Sequence, residues 1–501
     1  MSQASAPPRQ RTAIRGGWVV AFDGSRHRII SDGAVVFVGD RIVAVGVGAE
    51  ADADTVIDAR GKLVIPGLIS THAHIGAHPG DRLVLDVGRR ELQGSGFLHY
   101  EPRKALHAPP FGAGEDTGAA LRFGLATLLR SGVTTVLDMG TGDAIVGREL
   151  VRFAGECGIR LYYGPGVTSA HYLWSVDGRV LRSWREDGGA GALRDAVDFI
   201  KEHHGRYDGR VHGMVIIHET FNAAPALLRA AKTAAGSLGV GLSIHCAEQV
   251  FEFHEILRTT GFTPVGYLAS VDFLGPEVVL GHCLYADGHS RVGYPYAGDL
   301  ETIARTGSSV AHSPVAVARR GAMLEDLQRY VDCGVTVSIG TDSYPHDMFA
   351  EMQYASMLGK VATRNHEAAD AATVFTAATL GGAKALRRTD LGRLCPGAKA
   401  DLVIVDFTNP RLGPVYDPVK ALLHCATSDL VERVIVDGIT VVDRGEVLAW
   451  DHSTLLAGVR ASSRRVWDGF RAHHWAGRTA EEEFPPSFQA WTGDDDASCG
   501  G

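Results

Sequence analysis

Between residues 63 and 340 the chain repeats one pattern: a short apolar run, then a longer stretch with apolar positions three and four apart. The runs span 63–70, 134–139, 161–167, 211–218, 241–245, 278–284, 308–312 and 336–340. Stretches such as 118–131, 224–238 and 323–333 carry the helical spacing between them. Eight buried-strand runs alternating with helices predict an α/β fold, a parallel (β/α)8 TIM barrel rather than an open sheet. The flanks read differently. From 12 to 62, short β-like runs are broken by Asp23-Gly24, Asp32-Gly33 and Gly39-Asp40, and the same texture returns between 400 and 449 with Asp437-Gly438 as a hairpin signal. The expected domains are therefore a small composite β-sandwich built from both chain ends (12–62 and 391–450) and a barrel at 63–390. A C-terminal helix and an acidic, disordered tail are expected over 451–501.

Composition narrows the partners. A net charge of −9 over 501 residues lacks the basic excess that phosphate backbones demand, so nucleic acid is not expected and a small molecule is. The first 15 residues have no apolar core of a leader, and no stretch offers about 18 uninterrupted apolar residues, so a cytoplasmic protein without membrane contact is expected. Seven scattered cysteines without Cys-x-x-Cys spacing argue against disulfides or a structural zinc cluster. Two connections exceed the usual few residues, 77–114 and 168–191. They carry Tyr100, Tyr172 and Trp174 and are expected to wall a pocket.

The chemistry-bearing residues gather at one end of the runs. His72 and His74, two apart at the end of the first run, project to the same side of a strand and can grip one ion. His218 ends the fourth run, His245 the fifth and His312 the seventh; His282 lies in the sixth, and Asp342 follows the eighth. Histidines buried only for packing would fall anywhere along a strand, whereas chemistry in a (β/α)8 barrel sits at the strands' C-terminal ends.

These residues sit in recognisable motifs: Pro66-Gly67-Leu68-Ile69 leading to His72-Ala-His74, His245-Cys-Ala-Glu248, Gly281-His282-Cys283 and Gly340-Thr-Asp342. Two more follow, at 377–386 and 397–406. In this order, over roughly residues 15–450, the chain resembles the amidohydrolase superfamily, in its branch of triazine chlorohydrolases and cytosine, guanine and nucleoside-type deaminases. The resemblance implies one divalent metal held by His72, His74, His245 and Asp342. Such a set of nitrogens with one carboxylate suits zinc, or iron(II) or another transition metal, rather than magnesium or calcium. Binuclear relatives need a carbamylated lysine ending the fourth strand, and residues 211–220 contain no lysine. Zinc in an open site brings the pKa of coordinated water to about 7, which makes water the nucleophile. The resemblance also makes Glu248 the proton shuttle, gives His282 and Asp342 supporting catalytic roles, and places His218 against substrate. His312 joins Tyr100, Tyr172 and Trp174 as a candidate substrate contact.

The chain departs from the nucleoside pattern after the seventh and eighth strands. Ser-Asn and Ser-Asn-Asn turns are replaced by His312-Ser-Pro-Val-Ala-Val-Ala-Arg319 and Asp342-Ser-Tyr-Pro-His346. The expected activity is metal-dependent hydrolysis of a carbon–nitrogen bond of amide, urea or carbamate type in a small, largely neutral molecule, aromatic ones included. The alternatives are a deaminase or dechlorinase of an amino- or chloro-heterocycle and, outside enzymes, a catalytically silent barrel scaffold. Relatives of this kind are often dimers or larger, so a homo-oligomer is expected.

Overall fold

A computed structural model describes residues 10–76, 116–174, 180–474 and 477–491. The eight barrel strands are Leu68–Ala73, Val133–Asp138, Arg160–Tyr163, Val211–Glu219, Gly241–Cys246, Val278–His282, Ser309–His312 and Thr336–Ile339, each parallel to the next. The eighth meets the first through a parallel bridge between Ala73 and Asp342, with the amides of Thr341 and Asp342 both donating to the His72 carbonyl at 2.9 Å. Closure therefore occurs at two of the candidate site residues, His72 and Asp342. The strands read as apolar runs because both faces are covered, the inner by the opposite strands and the outer by helices.

The first apolar run divides between two sheets. Lys62–Pro66 pairs with Leu402–Asp406 in the composite sheet, and Leu68–Ala73 begins the barrel. Pro66 and Gly67 make the break, since a Cβ on Gly67 would lie 2.1 Å from Thr134 Oγ1. The strands of both chain ends join in one sheet of nine, with Arg11–Phe22 and His27–Val38 forming its longest pair. Its inner residues, among them Ile14, Val35, Leu402 and Ile435, form a core of their own.

Buried charge joins this sheet to the barrel. Arg160, 1% exposed at the N-terminal end of the third strand, pairs with Asp401 and Asp437 of the composite sheet and donates to Thr135 Oγ1 at 3.1 Å. Lys399 reaches Asp437 at 3.0 Å and Asp40 at 2.8 Å. Burial works against the Arg160 charge, but the two carboxylates outweigh it and raise its pKa.

The connection after the third strand contains an antiparallel hairpin, Ala170–Trp174 with Val180–Trp184. Helix His452–His473 packs on helix Asp116–Arg130. Beyond it Thr479 and Glu482 cap the short turn Ala480–Glu483, and Phe484 packs edge-on against Phe470. Residues 492–501, the acidic end of the expected disordered tail, lie outside the described residues. No described helix is long and apolar enough to cross a membrane.

Candidate metal centre

His72, His74, His245, His282 and Asp342 converge at the C-terminal mouth of the barrel. One ligand atom each from His72, His245 and His282 lie within 4.8 Å of one another, and so do those from His72, His74 and Asp342. The Nε2 atoms of His74 and His245 face each other at 3.1 Å. His245 Nδ1 lies at hydrogen-bond distance from the His218 carbonyl, which can only accept. Nδ1 therefore carries the proton, and Nε2 presents its lone pair toward the cluster.

The backbone is shaped to bring these groups together. His282 (φ 68°), Asp342 (φ 50°) and Ala247 (φ 51°) are left-handed without being glycine, a costly conformation that collects where function demands it. Two glycines admit the His72 ring: a Cβ on Gly281 would approach its Cε1 to 2.6 Å, and one on Gly340 its Cβ to 2.6 Å. Both glycines belong to the motifs that carry the family resemblance, and this clearance is their physical reason.

Among the described residues, both ring nitrogens of His72, Nδ1 of His282 and Oδ2 of Asp342 are buried without a hydrogen-bond partner. Leaving such an atom unsatisfied costs about 1–3 kcal/mol, so this concentration in one spot needs a ligand. Burial, reinforced by the neighbouring imidazoles, drives the pKa of His72 and His245 well below the ordinary histidine range. Both are neutral at physiological pH, the form that ligates a cation. Imidazole nitrogens with one carboxylate fit a divalent transition metal.

Glu248 stands beside this cluster. One of its carboxylate oxygens lies 3.8 Å from His282 Nε2, and the other accepts from Arg320 Nη1 at 2.9 Å. Burial pushes the Glu248 carboxyl up, but its interactions with His282 and the Arg320 guanidinium outweigh burial and hold the group well below the usual carboxylate range. His282 Nε2 is also 3.9 Å from Asp342 Oδ2. Glu248 and Arg320 line a pocket with Gln249, Leu284, Tyr285, Val317 and Ala322.

The candidate substrate contacts are placed unevenly. His218 is half-exposed, its ring 5.4 Å from that of His245. His312 is buried, and burial with the nearby His282 pushes its pKa down to about 3. Tyr172 and Trp174 lie on the hairpin, where only their backbone is described. Tyr100 and all of 77–115 lie outside the described residues. In the loop 286–296 after the sixth strand, Tyr294 packs against Phe253, and Tyr296 lies under the Arg329 guanidinium at 4.6 Å.

Four residues escaped the sequence pattern. Asp138, buried at the end of the second strand, accepts from the amides of Ile75 and Thr141 at 2.8 Å and so fixes the chain just after His74. Its position at a run's end was the available signal. Glu252 accepts the amides of Ala247 and Glu248, and Glu351 that of Val315. Arg320 meets Glu248 only through the fold, across 72 positions of sequence.

A model of the amidohydrolase family matches residues 63–441. A 5'-deoxyadenosine deaminase of Methanococcoides burtonii is 29% identical over 88% of this chain and 95% of its own. A 5-methylthioadenosine/S-adenosylhomocysteine deaminase of Thermococcus kodakarensis is 32% identical over 81% and 88%. Among solved structures, an adenosine deaminase of Xanthomonas campestris with bound zinc superposes with a TM-score of 0.74 at 22% identity, covering 92% of this chain and 99% of its own. An atrazine chlorohydrolase of Arthrobacter aurescens complexed with zinc gives 0.72 at 22% identity, over 90% and 100%.

Proposed function

The chain belongs to the amidohydrolase family and hydrolyses carbon–nitrogen bonds other than peptide bonds in small molecules, and we propose that it is a metal-dependent aminohydrolase releasing ammonia from an amino-substituted heterocycle. The observation that carries the reading is the group of unpartnered buried donors on His72, His282 and Asp342 beside the ionised Glu248. Deaminase relatives that align over most of both chains support ammonia as the product. We assign His72, His74, His245 and Asp342 as the ligands of one divalent ion, zinc by its donor set. When bound, such an ion would supply Lewis-acid activation of water.

The chain's own residues carry the protons. Glu248, ionised at rest, accepts a proton from the attacking water as its oxygen adds to the amino-bearing carbon. The same proton then passes to the nitrogen, the carbon–nitrogen bond breaks and ammonia leaves. His282, between Glu248 and Asp342, is placed to hold the attacking water's oxygen as it adds. The burial of His72, His245, His282 and Asp342 excludes bulk water and strengthens each of these interactions.

The test is product identity on a defined panel: 5'-deoxyadenosine, 5'-methylthioadenosine, an aminotriazine, a chlorotriazine and an aryl carbamate. Zinc-loaded protein is expected to release ammonia in equal amount to substrate consumed from one of the amino-heterocycles. Amine release from the carbamate, or chloride release from the chlorotriazine, without any ammonia would overturn the deaminase reading.

A further inference from the structure

Glu252 has no part in the chemistry just described, yet its carboxylate is fully buried directly behind Glu248. Its Oε1 accepts the amide of Ala247 at 2.9 Å and its Oε2 that of Glu248 at 2.8 Å. The Ala247 carbonyl is gripped from the other side by the Tyr285 amide at 2.8 Å. The turn so held is the left-handed one, Ala247 at φ 51°, which an L-residue adopts only at a cost and which therefore needs external support. Two hydrogen bonds to one carboxyl group supply it, and burial pushes the pKa of that group up to about 8.

We propose, resting on the reading of Glu248 as proton shuttle, that Glu252 is a positioning residue that fixes the Ala247–Glu248 turn and so aims the shuttle between His282 and Arg320. Glu252 lies in the first turn of helix Val250–Thr260, and Gln249 makes no side-chain cap there. A purely capping role would cost helix stability and leave the ratio of kcat to KM effects unpatterned. Positioning has a different signature. A misplaced shuttle slows the chemical step while leaving substrate binding and metal content as they were.

The experiment compares zinc-loaded parent, Glu252→Gln, Glu252→Ala and Glu248→Gln. Amide hydrogen exchange is measured in peptides spanning 246–250 and normalised to barrel-core peptides, so that global destabilisation cancels. Turnover is measured on the amino-heterocycle that the panel identifies. Exchange at 247–248 is expected to rise at least tenfold in Glu252→Ala and less in the isosteric Glu252→Gln. The kcat is expected to fall more than tenfold in Glu252→Ala, with KM and zinc content within about twofold and partial recovery in Glu252→Gln. Unchanged exchange, or faster exchange with kcat within threefold of the parent, overturns the proposal. Full turnover by Glu248→Gln, or none by the parent on any panel member, instead overturns the functional reading. The exchange measurement still decides whether Glu252 holds the turn.

Discussion

The barrel carries buried charge at both ends, and the two clusters are built on opposite rules. At the N-terminal end Arg160, Asp401, Asp437 and Lys399 satisfy one another, and Asp401 accepts the Asp437 amide at 2.9 Å as well. At the C-terminal end His72, His282 and Asp342 are equally buried, yet several of their polar atoms have no partner. A completed network is a device for stability and for fixing the composite sheet on the barrel. An incomplete one at the mouth, surrounded by left-handed backbone, is a device for binding. Burial alone does not separate the two; satisfaction of hydrogen bonds does.

The largest effect expected from this contrast is the loss of metal and turnover together in His72→Ala or Asp342→Ala. Elemental analysis after gel filtration checks it, with the variants folding like the metal-free parent because the barrel core is independent of the ion. Metal content equal to the parent's in both variants contradicts the assignment. Next comes Glu248→Gln, expected to keep one equivalent of metal while kcat falls by about 10²-fold or more, the range of general acid–base catalysis. Steady-state kinetics showing turnover within threefold of the parent would reduce Glu248 to a bystander.

Arg160→Met tests the other end. It leaves Asp401 buried without its cation while Asp437 keeps Lys399, a break that costs about 3–5 kcal/mol, visible as a lower denaturant midpoint. Metal content and kcat at a permissive temperature are expected to stay at parental values, and a loss of metal would merge the two clusters into one.

The smallest effect concerns pH. His212, stacked on Tyr162 and accepting from Arg388 at 3.2 Å, is pushed down to a pKa of about 3 by burial and the Arg388 charge. An unfolded chain takes up this proton near pH 6.5 while the folded one resists, so His212 costs stability as pH falls from about 6.5 toward 3. His212→Asn is therefore expected to soften the decline in Tm over that window. An unchanged slope contradicts it.

How much of this was legible in the sequence depends on range. Short apolar runs alternating with helical spacing located the barrel strands, and the His-x-His pair and Asp342 marked the candidate site because strand ends fall at one face. The division of the first run at Gly67 was hidden, since one apolar string serves two sheets and only the Thr134 clearance shows the break. Arg320 and the clamp on Arg160 were invisible for the same reason: a salt bridge across 72 or 241 positions leaves no local pattern. Glu252 was local but silent, because a glutamate in a helix's first turn looks like any other.

One metal held by imidazoles and a single carboxylate at the mouth of the barrel is the assignment on which the proposed chemistry depends. X-ray absorption on protein loaded with one equivalent of zinc tests it most directly. The expected result is one retained ion per chain with a first shell of nitrogen and oxygen at about 2.0–2.2 Å and no neighbouring metal. A sulfur shell near 2.3 Å, which Cys246 or Cys283 would supply, or a second metal at about 3.5–4 Å, would contradict it.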